Sequence, residues 1–240
     1  MSVPVDTKVP WVAMYHSVGD CSDDPYRVTV TPERLDGQLA WLTRRGLRGV
    51  SMAELLAAPT RRNLVGLTFD DGYADFLTDA LPVLRRHDCT ATLFVLPGRL
   101  GGENAWDPLG PRKPLLTADG IRRAAAEGIE IGSHGLTHVD LTRADDRTLN
   151  AETAGSRTAL GQLLGTEPAG FCYPYGTVDE RVRDAVRDAG YTYACAIDPG
   201  ELNGLHVFPR VHIGQNDTSA RLLLKYRLHP LRRRPVRGLR

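Results

Sequence analysis

The chain has 240 residues, a hydrophobic fraction of 42% and a formal net charge of +1. That length fits one large domain or two small ones, and α/β barrels commonly reach it as one domain. The near-zero charge excludes a whole-molecule nucleic-acid signal, and no apolar stretch approaches the length of a membrane-spanning helix. The four cysteines, Cys21, Cys89, Cys172 and Cys195, form no C-x-x-C pair, which speaks against a zinc ribbon or redox motif. Cys89, Cys172 and Cys195 lie in or beside apolar segments and read as buried free thiols. Residues 1–10 carry no apolar signal core, so, read as a full-length chain, the protein is expected in the cytoplasm.

Trp11–Tyr15 is a first strand, ending at His16-Ser17. Thr31-Pro32-Glu33 then opens a helix with Thr as cap and Pro in the first turn. Leu35, Leu39 and Leu42 give that helix one apolar face. A short strand over Leu47–Val50 leads to Ser51-Met52-Ala53-Glu54, a capping box. Leu64–Phe69 reads as a buried strand that stops at Asp70-Asp71-Gly72. A helix follows around Thr78–His87, broken or started by Pro82. Thr90–Leu96 is a strand, and residues 97–116 are a long Gly- and Pro-rich loop of the kind that is often functional. A helix over Thr117–Glu127 ends at Gly128. The strand Ile129–Ser133 runs into His134. A helical stretch over Thr142–Leu164 closes at Gly165, and a strand over Ala169–Tyr173 ends in Pro174-Tyr175-Gly176. Thr177-Val178-Asp179-Glu180 is a second capping box for a helix that stops at Gly190. Tyr191–Ile197 and Val207–Ile213 are the last strands, and Pro209 makes the final one an edge, bulged or broken strand.

Strand and helix alternate about eight times, which argues for parallel strands with helical crossovers. The expected fold is α/β, a closed or distorted (β/α) barrel in a single domain over residues 1–216. A basic C-terminal helix and tail cover 217–240. In such a barrel the chemistry collects where strands end, and Asp70, Asp71, His134, His138 and Tyr175 all fall there. Adjacent residues leaving a strand point different ways. One of Asp70 and Asp71 can therefore bind a cation while the other faces a water. A solvated Asp-Asp-Gly turn is the plain alternative. His134-Gly135-Leu136-Thr137-His138 has the H-x-x-x-H spacing, which puts two imidazoles on one side of a helix or tight loop. Two histidines and one carboxylate leave a fourth position open, the pattern of catalytic zinc. Two unrelated surface histidines are the plain alternative here.

Taken together, Thr68-Phe69-Asp70-Asp71-Gly72, Ser133-His134-Gly135-Leu136-Thr137-His138 and Phe171-Cys172-Tyr173-Pro174-Tyr175-Gly176, each after a strand, resemble the polysaccharide deacetylase family. This is the NodB-homology family, or carbohydrate esterase family four. The resemblance runs from about Val9 to Ile213. It implies a distorted barrel of seven or eight strands and removal of acetyl groups from N-acetylated sugars. It implies Asp71, His134 and His138 as metal ligands, with Zn²⁺ or another divalent transition metal such as Co²⁺ or Ni²⁺. It implies Asp70 as general base, Tyr175 as the residue whose backbone N–H helps form the oxyanion hole, and a late histidine as general acid. His212 is preferred over His206 for that role, and His16 is a candidate to line the pocket.

Cys172 stands where many members carry an arginine that pairs with the base. Arg210, two residues before His212, is the expected substitute, held against Asp70 or by Asp198. Trp106 in the long loop is a candidate to stack on a sugar or to cover the rim. His87 and His229 are expected to be solvated. The segment from Arg221 to Arg240 holds eight Lys or Arg and no acid. It reads as a last barrel helix with a basic tail, or as peripheral contact with an anionic membrane. The leading function is a metal-dependent N-deacetylase of an N-acetylated amino sugar: a saccharide, a lipid-linked or nucleotide-linked sugar, or a natural-product glycoside. Hydrolysis of a non-sugar amide or ester and a non-catalytic carbohydrate-binding relic are the alternatives. Oligomeric state is not read from the sequence.

Overall fold

The computed structural model describes residues 10–197 and 199–232. Strand β1 (Val12–Tyr15) is buried along its whole length, as an apolar run in a parallel sheet should be. The short strands β2 (Ser17–Val18) and β3 (Thr29–Val30) pair outside the main sheet. Helix α1 (Pro32–Thr43) begins as expected, with the Thr31 hydroxyl accepting from the Arg34 N–H. Then come β4 (Arg48–Val50), α2 (Met52–Ala57) and β5 (Leu64–Phe69). Ser51 caps α2 through the Glu54 N–H, but the reciprocal half of the box is absent. The Glu54 carboxylate binds Arg48 and Thr90, and the Ser51 N–H donates to Thr90 Oγ1. A wide turn over Phe76–Ala80 runs into α3 (Leu81–Arg86), so Pro82 sits in a first turn, where its missing N–H costs little.

After β6 (Thr92–Val95) come α4 (Ala118–Ala126) and β7 (Glu130–Ser133). The helical stretch expected over 142–164 is divided into α5 (Asp146–Asn150), a wide turn over Ala151–Gly155 and α6 (Ser156–Leu164). Strand β8 (Gly170–Cys172) leads to α7 (Glu180–Asp188). The cap of α7 is Asp179, which accepts from the Val182 N–H. Thr177, the expected cap, hydrogen-bonds Asp140 instead. Strands β9 (Tyr193–Ala196), β10 (Phe208–Pro209) and β11 (Val211–His212) precede α8 (Ser219–Arg232).

The strands form one nine-stranded parallel sheet with the order β10-β9-β8-β7-β6-β5-β1-β11, and β4 pairs with β5 beside that path. β10 pairs with β9, while β11 pairs with β1 through Ala13–Val211 and Met14–His212. Residues 208–212 thus bridge the two edges and nearly close the sheet into a barrel. The break expected at Pro209 falls at Arg210, where the chain leaves one neighbour for the other. Side chains alternate across the wall: Phe94 joins an inner cluster with Val12, Tyr193 and Phe208, while Leu93 and Val95 join the outer layer under the helices. The inner rings need glycines opposite them. A Cβ at Gly132 would lie 2.5 Å from the Phe94 ring, and one at Gly170 would lie 2.2 Å from Tyr193.

α8 packs on the outside of this barrel. Leu222 is buried in the outer layer, and the Tyr226 ring meets Trp11 at 5.5 Å and Trp41 at 6.1 Å. The expectation that His87 and His229 are solvated does not hold: His229 is buried, with Nε2 3.1 Å from the Pro10 carbonyl, and His87 Nε2 lies 3.1 Å from Asp36 Oδ1. The end of the basic tail, 233–240, lies outside the described residues. No helix among them is long and apolar enough to cross a membrane.

Candidate active site

Parallel strands deliver their C-terminal ends to one face of a barrel. Here β1 delivers His16, β5 delivers Asp70 and Asp71, β7 delivers His134, and the β10–β11 junction delivers Arg210. All but His16 are buried. The Arg210 guanidinium grips Asp70 with two parallel bonds of 2.6 and 2.7 Å and also donates to Thr68 Oγ1 at 3.0 Å. Burial raises the Asp70 carboxyl, but the neighbouring Arg210 outweighs it and holds the carboxyl below its ordinary value. Cys172 Sγ sits 2.9 Å from the same guanidinium and 3.6 Å from Asp70. The cation missing from the Cys172 position is therefore supplied in space by Arg210. Asp198, the alternative partner weighed for it, lies outside the described residues.

Asp71 points elsewhere because its backbone is left-handed, with φ of 72°. Its Oδ1 lies 3.2 Å from His134 Nε2 and 3.3 Å from His138 Nε2. Yet Asp71 Oδ1 is buried with no hydrogen-bond partner of acceptable geometry among the described residues. One oxygen and two ring nitrogens that converge without hydrogen bonding suit a shared cation. His134 Nδ1 is 2.9 Å from the Cys172 carbonyl. A proton donated there leaves the Nε2 lone pair for a metal. A second convergent group, Asp70, His134 and Cys172, exists, but Arg210 already occupies Asp70. The residues present fit a divalent transition metal at Asp71, His134 and His138.

The H-x-x-x-H loop is held by a residue that sequence reasoning missed. Glu152 is 3% exposed. Its carboxylate accepts the N–H of Leu136 at 2.6 Å, the N–H of Thr137 at 3.0 Å and the Thr137 hydroxyl. Gly135 has φ of 81°, and a Cβ there would come within 2.8 Å of that carboxylate. The available sequence signal is an acid within a helical stretch otherwise expected to pack on the barrel.

Three aromatic or imidazole rings finish the mouth. Trp106 stacks on His138 at 4.4 Å, and the half-exposed Tyr175 meets the same ring edge-on at 4.6 Å. Tyr175 has left-handed backbone, φ 59° and ψ 0°. Non-glycine residues in that region are uncommon and collect at functional sites. Asp71, His138 and Tyr175 are three of the five such residues described. The long loop that carries Trp106 is anchored: Leu116 N–H bonds the Gly72 carbonyl, and Lys113 Nζ reaches Ser17 and Thr29, both at 2.8 Å.

His16 Nε2 lies 3.9 Å from Asp70 Oδ2. His212 stands beyond it, with 6.3 Å between the two ring centroids, and forms a wall of a neighbouring cavity. His206 is turned to the Tyr191 carbonyl, 2.8 Å away.

The family model for polysaccharide deacetylase matches residues 57–194. The chain belongs to the polysaccharide deacetylase family. It is 26% identical to the Bacillus subtilis (strain 168) protein YxkH over 214 residues, 86% of this chain and 71% of that one. It is 26% identical to the poly-beta-1,6-N-acetyl-D-glucosamine N-deacetylase of Escherichia coli (strain K12), covering 84% of this chain but only 36% of that protein. Among solved structures, the Streptococcus pyogenes deacetylase PplD in complex with acetate superposes with a TM-score of 0.75 at 25% identity, over 90% of this chain and 97% of PplD. The polysaccharide deacetylase fold thus extends over the barrel on both sides of the matched segment.

Proposed function

We propose that this chain is a metal-dependent hydrolase that removes the acetyl group from an N-acetylated amino sugar. The observation that carries this is the pairing, on one barrel face, of the Asp71–His134–His138 convergence with an arginine-clamped Asp70. The similarity to a poly-N-acetylglucosamine N-deacetylase supports an N-acetylglucosamine unit as the reacting sugar. Asp71, His134 and His138 would hold the ion, with Zn²⁺ the best match to two imidazoles and a carboxylate. When bound, it supplies Lewis acidity to the amide carbonyl and acidifies a water.

The remaining roles fall to the chain's own residues. Asp70, kept ionised by Arg210, takes the proton of the attacking water. The Tyr175 backbone N–H donates to the developing oxyanion. Trp106 and Tyr175 brace the His138 ring and narrow the mouth. His16 donates the proton that the leaving amine needs. It is preferred over His212 because its Nε2 reaches within 3.9 Å of Asp70. Burial, and after it the neighbouring His16, hold the His212 imidazole below its ordinary value.

Acetate release from N-acetylglucosamine oligomers tests the reading. Exhaustive chelation should abolish it, and Zn²⁺ or Co²⁺ should restore it. Full activity in chelator, or no acetate release from any N-acetylated sugar by the metal-loaded protein, would overturn it.

A further inference from the structure

A cavity of about 540 Å³ opens beside the site, between the 21–29 segment, the 214–217 turn and α8. It falls within the size range of small-molecule sites. Five charged side chains line it: Asp24, Arg27, Asp217, Arg221 and Lys225. Three of the five are already engaged inside the protein. Asp24 accepts the N–H groups of Val28 and Thr29 at 3.2 and 2.7 Å. Asp217 accepts the Gly214 N–H at 2.8 Å and pairs with Lys225 at 2.6 Å. Arg27 and Arg221 form no ion pair among the described residues; Arg221 has a hydrogen bond of 3.4 Å to the Asn216 carbonyl. Two arginines without ion-pair partners among the described residues, both exposed to solvent, therefore line one cavity in which both carboxylates are occupied. Guanidinium forks match the oxygens of phosphate groups.

The position of the cavity says which phosphate. His212 is one of its walls, its ring is 6.3 Å from that of His16, and His16 lies 3.9 Å from Asp70. In a 2-acetamido sugar the reacting nitrogen sits on the carbon next to the anomeric one. A sugar placed with its acetamide at Asp70 carries its anomeric substituent on the adjacent carbon, and a phosphate or diphosphate there would have to extend past His16 and His212 to enter the cavity. The cavity is also lined by Leu224, which is 58% exposed, and Leu228. These give an apolar surface to whatever continues past the phosphate.

We propose that this cavity binds the anomeric phosphate or diphosphate of the substrate, so that the chain acts on a glycosyl phosphate in preference to an uncharged glycan. The proposal rests on the deacetylase reading and names its substrate class. Nucleoside-diphosphate sugars and polyprenyl-diphosphate sugars share the chemistry, and the experiment separates them.

The full chain, loaded with Zn²⁺, is assayed for acetate release from four probes. These are N-acetylglucosamine, N-acetylglucosamine 1-phosphate, its uridine-diphosphate derivative and its short-chain prenyl-diphosphate derivative. The phosphorylated probes should exceed the free sugar in kcat/KM by at least tenfold, mostly through KM. In the double variant Arg27→Gln/Arg221→Gln, the ratio of phosphorylated to free kcat/KM should fall by about a hundredfold, roughly tenfold per charge-assisted contact. A superior prenyl probe identifies a lipid carrier; a superior uridine probe identifies a nucleotide. Calorimetry with inorganic pyrophosphate gives a second readout that needs no turnover. Binding should persist in His134→Ala, which separates it from the metal, and should weaken at least tenfold when the two arginines are also replaced. The free sugar turned over as well as its phosphates, with an unaltered ratio in the double variant, overturns this proposal and leaves the deacetylase reading standing. Pyrophosphate binding that depends on the arginines, without acetate release from any probe, supports the cavity and overturns the deacetylase reading instead.

Discussion

Asp70 and Asp71 are neighbours in the chain and nearly strangers in space. β5 ends at Phe69, Asp70 continues inward to Arg210, and the left-handed backbone of Asp71 turns its carboxylate to the two histidines. Their substitutions should fail differently. Asp71→Asn should lose metal along with activity. Asp70→Asn should keep metal, measured by elemental analysis, and lose about 10²–10⁴-fold in kcat, the usual worth of a general base. The reverse pattern would mean that the roles are exchanged. Arg210→Met probes the clamp. Without the guanidinium, burial loses its main opponent and the Asp70 carboxyl rises, so the acidic limb of the pH–rate profile should move upward while metal stays bound. Stability should follow the same linkage. Asp70 is held below its ordinary 3.8 in the fold, so the pair stabilises the protein above that pH and stops doing so as pH falls through the lower folded value. The variant should lose about 3–5 kcal/mol at pH 7, because a buried charge is left unpaired, and less near pH 3. Urea titrations at the two pH values check this; a loss that does not change with pH would refute the linkage.

At the scale of elements, the site depends on how loops are held rather than on the strands alone. The His134–His138 loop has little regular structure, and Glu152 ties it from the wide turn between α5 and α6. That turn interrupts the helical stretch at the point where Glu152 faces the loop. Glu152→Ala leaves two N–H groups without their acceptor and frees the His138 end of the proposed ligand set. We expect a 10–100-fold loss of Zn²⁺ affinity by competitive chelator titration, the range typical for groups that orient a metal ligand, with the far-ultraviolet circular dichroism unchanged. Unaltered affinity would show that the loop holds its shape without the carboxylate. The 97–116 segment follows the same logic. Its sequence reads as a long loop, but Lys113 fastens it to Ser17 and Thr29 and the Leu116 N–H fastens it to the Gly72 carbonyl, and Trp106 stacks on His138.

For the whole molecule, the deciding feature is closure. Residues 208–212 pair with β9 on one side and β1 on the other, and Arg210 at the crossing point enters the interior. Closing the sheet and clamping Asp70 are consequences of the same five residues. Outside the wall, Trp41 of α1 joins the first strand to the last helix through Trp11 at 6.3 Å and Tyr226 at 6.1 Å. Trp41 is fully buried. Trp41→Ala should cost about 3–5 kcal/mol by guanidinium denaturation, the range for truncating a buried large aromatic. A cost below about 1 kcal/mol would mean that α8 is not an integral part of the folded unit. Leu222 and Tyr226 of α8 are spent on the barrel wall, while Leu224 stays exposed.

Read by itself, the sequence determined the barrel class, the order of its elements, and the placing of Asp70, Asp71, His134, His138 and Tyr175 at strand ends. These follow from local signals: apolar runs, caps and turn glycines act over a few residues and are written directly in the chain. The Asp70–Arg210 pair was also open to inference, because the resemblance implies a base at Asp70 paired with a cation, and Cys172 cannot provide one. Tertiary structure alone decided the rest. Nothing in the spacing says that Glu152 reaches back to Leu136 and Thr137, or that Thr90 takes the Ser51 N–H and Glu54. Nor does the spacing reveal that His16, from the first strand, stands nearer to Asp70 than the late histidine does. Each depends on parallel crossovers bringing together residues that are tens of positions apart, and periodicity carries no information at that range. The last strand shows the boundary most clearly: a break near Pro209 was legible, but the change of neighbour at Arg210 that joins the two edges of the sheet required the barrel to exist.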